Sequence, residues 1–252
     1  MKILKSSILA LVLVGTALTA RADLTTVTTA DGNGADAYVQ NGVGANTNFG
    51  TSADLFTGTG ASPDQVFKTY FRFDISALTI DTSPFATPAV LSFTTLTNLS
   101  TTGFGLYLVK DGTAGDLLSG WDETSITYNN APGNDISGGG LLNSDSILLG
   151  NFNITTLAGS TVAIGLSPAV LSTDTNGLLT FALVRTSSGL TPNFASQENL
   201  SPSVAPPSLT VPTIVVEAVP EPAEIISAVA ILAAIGGLLL GKYKSARKEL
   251  TA

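Results

Sequence analysis

Apolar and polar residues alternate in short runs along most of this chain, and Gly, Asn, Asp and Ser punctuate the runs. The alternation is clearest in Tyr70-Phe71-Arg72-Phe73 and in Phe104-Gly105-Leu106-Tyr107-Leu108, with the period of two that a half-buried strand requires. In the first half, runs of this kind predict strands at Leu24–Thr29, Tyr38–Val39, Leu55–Thr57, Thr69–Phe73, Val90–Thr97 and Gly103–Val109. In the second half they predict strands at Ser125–Tyr128, Ser146–Phe152, Thr161–Leu166, Leu178–Val184 and Ser208–Val216. Residues 31–36 and 132–140 read as Gly/Asn/Asp-rich turns or loops. Only Ser167–Ser172 reads as a helical turn, with Ser167 as N-cap and Pro168 at the first position. Short strands without amphipathic helices predict an all-β fold, a jelly-roll-like antiparallel β-sandwich. The proline-rich Ser201–Pro212 stretch predicts that the last strand lies at a sheet edge.

The two ends of the chain carry a different pattern. Met1-Lys2 and Lys5 make a basic start, Ile8–Leu18 is apolar, and Ala20 and Ala22 place small residues at the positions a signal peptidase requires. Residues 1–22 therefore read as a signal peptide, with Asp23 as the first mature residue. Near the other end, Ile225–Gly241 is seventeen residues without a charge, followed by Lys242, Lys244, Arg247 and Lys248. At about 1.5 Å per residue the run spans roughly 25 Å, enough for one transmembrane helix where the bilayer thins locally. The basic residues predict that the 242–252 tail is cytoplasmic. In the 213–224 linker, Val219-Pro220-Glu221-Pro222 keeps the approach extended, because a residue before proline avoids the α region.

The Val219–Pro222 motif, the apolar run and the basic tail together resemble the PEP-CTERM sorting tag of Gram-negative bacteria. The resemblance implies an exosortase-type processing enzyme as partner. It also implies an inner-membrane-anchored precursor whose mature form reaches the cell surface or extracellular matrix. Spacing alone fits a plain C-terminal membrane anchor equally well.

Composition narrows what the exported part can do. Residues 23–218 hold four cations, Lys68, Arg72, Lys110 and Arg185, against sixteen carboxylates, a net charge of −12. Such a domain repels nucleic acid and anionic lipid surfaces. The chain has no histidine and no cysteine, which excludes disulfides, the usual zinc sites, cysteine nucleophiles and Ser-His-Asp triads. Carboxylate-pair glycosidase chemistry and oxygen-ligand cations such as calcium stay open.

Two groups of residues offer chemistry. Trp121 is the sole tryptophan and Tyr128 follows seven residues later. An aromatic face there could stack on a sugar ring while Asp122, Glu123, Asn129 and Asn130 meet its hydroxyls. Packing of Trp121 into the sandwich core is the competing reading. Adjacent Asp122 and Glu123 cannot converge as acid and base on one strand face. The second group is Asp31-Gly32-Asn33-Gly34-Ala35-Asp36, whose alternating oxygen ligands suit calcium if Asp74 completes the set. A polar turn is the alternative.

Three patches resemble the DNRLRE family of exported β-sandwich modules. The first joins Ala35–Val39, Asn46–Gly50 and Tyr70–Ser76; the second is Trp121–Pro132; the third is Phe194–Asn199 with Pro206–Leu209. Residues 23–212 would form that domain. The chain departs from the family at Gln197, where arginine is expected, and at Phe67-Lys68-Thr69, which replaces an arginine-rich run. Some such modules are classed as carbohydrate-binding, and they accompany enzymes more often than they are enzymes. The resemblance implies a non-catalytic surface or matrix protein that binds, or is embedded in, extracellular polysaccharide. A ligand-free structural protein and a carboxylate-dependent polysaccharide-degrading enzyme are the alternatives.

Overall fold

The computed structural model of the chain describes residues 21–59, 65–83, 86–110, 121–174, 176–189 and 191–215. The signal peptide up to Ala20, the Val219–Pro222 motif and the 225–241 span lie outside them. Among the described residues no helix is long and apolar enough to cross a membrane. Ala22–Val215 forms one compact unit.

That unit is all-β. Its strands are β1 (Arg21–Thr28), β2 (Ala35–Gln40), β3 (Asp54–Phe56), β4 (Gly58–Thr59), β5 (Val66–Asp74) and β6 (Ala89–Thr94). They continue with β7 (Leu99–Val109), β8 (Ser146–Thr156), β9 (Thr161–Leu166), β10 (Leu178–Arg185), β11 (Asn193–Ala195) and β12 (Ser208–Val215). One sheet has the order β1-β12-β6-β9 and the other β2-β5-β10-β7-β8, with β4 also on β5; β3 and β11 pair separately. Apart from the inserted β5, the chain crosses between the sheets along the path of a jelly roll. The expected helical turn forms as a 3-10 turn at Pro168–Thr173, with the Ser167 hydroxyl accepting from the Ala169 amide.

The main core lies between the sheets. Phe71, Phe73, Leu106, Phe181 and Leu183 of the larger sheet meet Leu91, Phe93, Ile164 and Leu209 of the smaller one. Phe71 and Phe93 stack at 5.7 Å across the gap, and Phe194 of β11 meets Phe93 edge-on at 5.0 Å. Each such buried ring stabilises the fold by roughly 1.5–3 kcal/mol.

Three sequence expectations are corrected here. The alternation in β5 does not mark a strand with one wet face: Tyr70, Phe71 and Phe73 are fully buried and Arg72 is buried as well. A second core covers the other side of the larger sheet, where Trp121, Ile126, Tyr128, Ala131 and Leu141 pack on Ala37, Val39, Tyr70, Ala182 and Val184. Next, Ser125–Tyr128 is not a strand. The Asp122 carboxylate takes the Thr124 amide and hydroxyl, the Asp122 carbonyl takes the Ile126 amide, and the Asn130 side chain takes the Thr127 amide. Local side-chain acceptors thus capture donors that a ladder would need. Finally, β12 lies between β1 and β6, not at an edge. Its pairing with β6 stops at Thr210, and beyond it the carbonyl of Pro212 accepts the Asp81 amide.

Candidate functional site

The segment from Trp121 to Leu141 carries most of the residues expected to have a function, and it lies as a cover on the larger sheet. Trp121 is 8 % exposed and Tyr128 2 %. The indole N–H donates to the Thr180 hydroxyl at 3.3 Å, and the Arg72 guanidinium sits 5.0 Å from the ring while donating to the Trp121 carbonyl. The Tyr128 hydroxyl donates to the Gly138 carbonyl at 2.9 Å. Both rings are buried in packing contacts, which favours the packing reading of Trp121 over sugar stacking. Asn130 is exposed, and its side chain holds its own turn through Thr127 and Ser125.

Lys68 fixes the far end of this cover. It is fully buried, and its ammonium donates to the Asn134 side chain and the Gly140 carbonyl, each at 2.5 Å, and more weakly to the Asp135 and Gly138 carbonyls. Burial pulls its pKa down to about 8, while Asp135 pulls the other way. Thus the Gly-rich stretch read from the sequence as a loop is wrapped around a cation.

The proposed calcium loop separates into three unrelated structures. Asp31 accepts from the amide and hydroxyl of Thr28 within its turn. Asp74 accepts from the Asn33 amide and side chain, both at 2.9 Å, and from Ser76. Slight burial raises its carboxyl, but these bonds outweigh that and hold it near 2. Asp36 points elsewhere. The four residues do not form one coordination set: Asp31 is bonded within its own turn, Asp74 to Asn33, and Asp36 to Thr29 and the Gln197 amide.

Asp36 instead joins Glu123 and Glu198, one carboxylate oxygen from each lying within 4.8 Å of the others. Asp36 Oδ2 accepts from the Thr29 hydroxyl at 2.6 Å and the Gln197 amide at 3.0 Å. Glu123 Oε1 accepts from the Asp36 amide at 2.7 Å. The Gln197 side-chain amide donates to both Glu123 oxygens, at 2.8 and 2.9 Å. At the position expected to carry arginine, a neutral group thus spans the carboxylate. Burial pushes the Asp36 carboxyl up to about 8, against the Thr29 bond, and the charge of Glu198 adds to the rise. Burial likewise raises Glu123.

The three patches read along the sequence meet at this cluster. Asn48 donates its side-chain amide to the carbonyls of Glu123 and Ile126 at 2.7 and 2.8 Å. At Gly50 a Cβ would fall 2.0 Å from the Glu123 carbonyl oxygen, so only glycine lets the first patch lie against the second. The sequence named Asp36 and Glu123 for different sites. Their convergence, and the part of Glu198, come from chain folding across more than eighty residues.

A further site was missed from the sequence. A polar cleft of about 190 Å³ is lined by Asn98, Ser100, Thr101, Thr102, Arg185 and Ser187, among others. It forms where β7 bulges against β8 between Leu99 and Thr102. Thr101 there has φ 52°, an uncommon conformation for a β-branched residue. The Ser/Thr-rich composition near 97–102 was its only sequence signal.

Comparison with curated proteins finds no match. Comparison with known families matches residues 27–211 to carbohydrate-binding module family 96. That range spans both cores, the carboxylate cluster and the bulge cleft, and this β-sandwich accordingly belongs to carbohydrate-binding module family 96.

Proposed function

We propose that the protein is a non-catalytic, exported carbohydrate-binding component of the cell surface or extracellular matrix, delivered there through its PEP-CTERM-like tail. The family match over residues 27–211 is the observation that carries this reading. Hydrogen bonding favours binding over catalysis: Asp122 is engaged by Thr124, and Glu123 by Asp36 and Gln197.

Electrostatics narrows the ligand. Two of the four cations in residues 23–218, Lys68 and Arg72, are buried, so the surface facing a glycan is more acidic than the net charge of −12 suggests. A neutral, hydroxyl-rich polysaccharide avoids that repulsion. The bulge cleft is the place we assign to it, since it combines hydroxyls, an amide and a guanidinium. The cleft is smaller than pockets that enclose whole small molecules, about 300 Å³ and upward. It suits one or two sugar units of a chain lying across it.

Binding of the purified protein to a panel of neutral and acidic polysaccharides tests this reading. Saturable retention on neutral glycans, reduced by Ser187→Ala together with Thr102→Ala, is expected. A folded protein that none of the polysaccharides retains would leave the structural-protein alternative.

A further inference from the structure

The carboxylate cluster formed by Asp36, Glu123 and Glu198 has an unfilled demand. Asp36 is fully buried, yet its Oδ1 has no hydrogen-bond partner, although Oδ2 has two. Glu198 Oε2 is also buried without a partner. A buried carboxylate oxygen left unpaired costs about 1–3 kcal/mol or more, and the cluster holds two of them beside a third carboxylate.

Among the described residues no cation is placed to answer this. The guanidinium whose charge reaches Glu123 is that of Arg72, and it donates to the carbonyls of Asn33 and Trp121. Gln197 brings donors but no charge. Like charges this close are tolerated inside a fold only when something positive or a proton lies among them.

The spacing suits a metal ion. Hard divalent cations take carboxylate oxygens at about 2.3–2.6 Å, so ligands on opposite sides of one ion stand about 5 Å apart. The three oxygens here lie within 4.8 Å of one another. Asp36 is also held rigidly, by β2 and by the Thr29 and Gln197 bonds, while Glu123 is fixed through the Asp36 amide. Ligands of this kind are oriented before the ion arrives.

We propose that Asp36, Glu123 and Glu198 bind one hard divalent cation, of the calcium class, that ties the first, second and third family patches together. The ion accepts Asp36 Oδ1 and Glu198 Oε2 as ligands, takes an oxygen of Glu123, and completes its shell with water. Its role is structural, because the three ligands come from β2, from the cover segment and from the stretch after β11. This site is separate from the bulge cleft, and its test requires no glycan.

The experiment compares thermal unfolding of the purified protein in chelator and in millimolar calcium. Terbium luminescence, sensitised by Trp121 two residues from Glu123, serves as a direct binding readout. Calcium is expected to raise the melting temperature by several degrees, and terbium to bind one per chain and be displaced by calcium. Glu198→Gln removes one charge without a change of shape and should weaken terbium binding at least tenfold. Asp36→Asn keeps the bonds to Thr29 and Gln197 and should abolish the calcium response while the protein stays folded. Two results would overturn the proposal: a folded wild-type protein with neither response, or calcium responses unchanged in both variants. If Asp36→Asn fails to fold, Glu198→Gln alone decides the matter.

Discussion

Lys68 and Gly140 lie seventy-two residues apart, and the Lys68 ammonium donates to the Gly140 carbonyl at 2.5 Å. Through this bond, and the one to Asn134, a single side chain of β5 gathers the last part of the segment that covers the larger sheet. The Tyr128 ring lies 4.9 Å from the same ammonium. Replacing Lys68 by methionine keeps the aliphatic stem but leaves the oxygen acceptors facing one another. Lys68→Met should therefore lower stability by about 2 to 4 kcal/mol. Hydrogen exchange should show the amides of residues 134–142 losing protection first; protection equal to wild type would refute the role given to Lys68.

The same group predicts a pH dependence. Burial lowers the folded pKa of Lys68 to about 8, against an ordinary value of 10.5. Between those values the unfolded chain binds a proton that the folded protein does not, so stability should rise with pH in that window. Below about pH 8 both states hold the proton and the burial cost is fully present. Denaturant melts between pH 7.5 and 9.5 should show this upward slope, and it should vanish in Lys68→Met.

Trp121 is a packing residue, and its substitution separates stability from recognition. Trp121→Phe removes the bond to Thr180 and some ring volume, for an expected loss of about 1–2 kcal/mol. Polysaccharide retention should be unchanged in the folded variant. Native fluorescence should be blue-shifted, as expected of an indole that is 8 % exposed. Full stability with lost retention would return Trp121 to the ligand surface.

Gly50 controls the position of Glu123. A methyl group there would meet the Glu123 carbonyl oxygen at 2.0 Å, and that oxygen belongs to backbone that Asn48 holds. Gly50→Ala should cost about 1–3 kcal/mol. Differential scanning calorimetry provides the check; a melting point equal to wild type would mean that the two patches are not in rigid contact.

Thr101 holds a left-handed backbone conformation at the bulge cleft, with its amide donating to the Thr155 hydroxyl at 3.0 Å. Such strain costs on the order of 1 kcal/mol or more in a β-branched residue and persists where it positions something useful. Thr101→Gly should leave stability unchanged or raise it by up to about 1 kcal/mol, while weakening polysaccharide retention. Equal retention in a folded variant would remove Thr101 from the ligand surface.

Much of the architecture was legible along the chain. Period-two alternation located most strands within a few residues, because a sheet facing a core imposes that period directly. The turn at Ser167-Pro168 was legible for a similar reason, since cap and first-turn preferences act over a few adjacent residues. Absence of His and Cys, and the acidic balance of residues 23–218, are also properties of the sequence alone, and with them go the chemistries they exclude.

Tertiary structure alone decided which residues meet. Nothing local in Trp121–Leu141 shows that it folds back over β2, β5 and β10, and so the sequence left both a ligand surface and a packed core open for Trp121. Asp36 read as part of a turn-borne calcium loop because its neighbours carry oxygen ligands, yet its strand position turns it away from them. The bond from Gln197 to Glu123 and the burial of Asp36 depend on contacts between segments 74 to 161 residues apart. Short-range propensities carry no information about such pairings; burial, and the need to satisfy each polar group inside it, determined them.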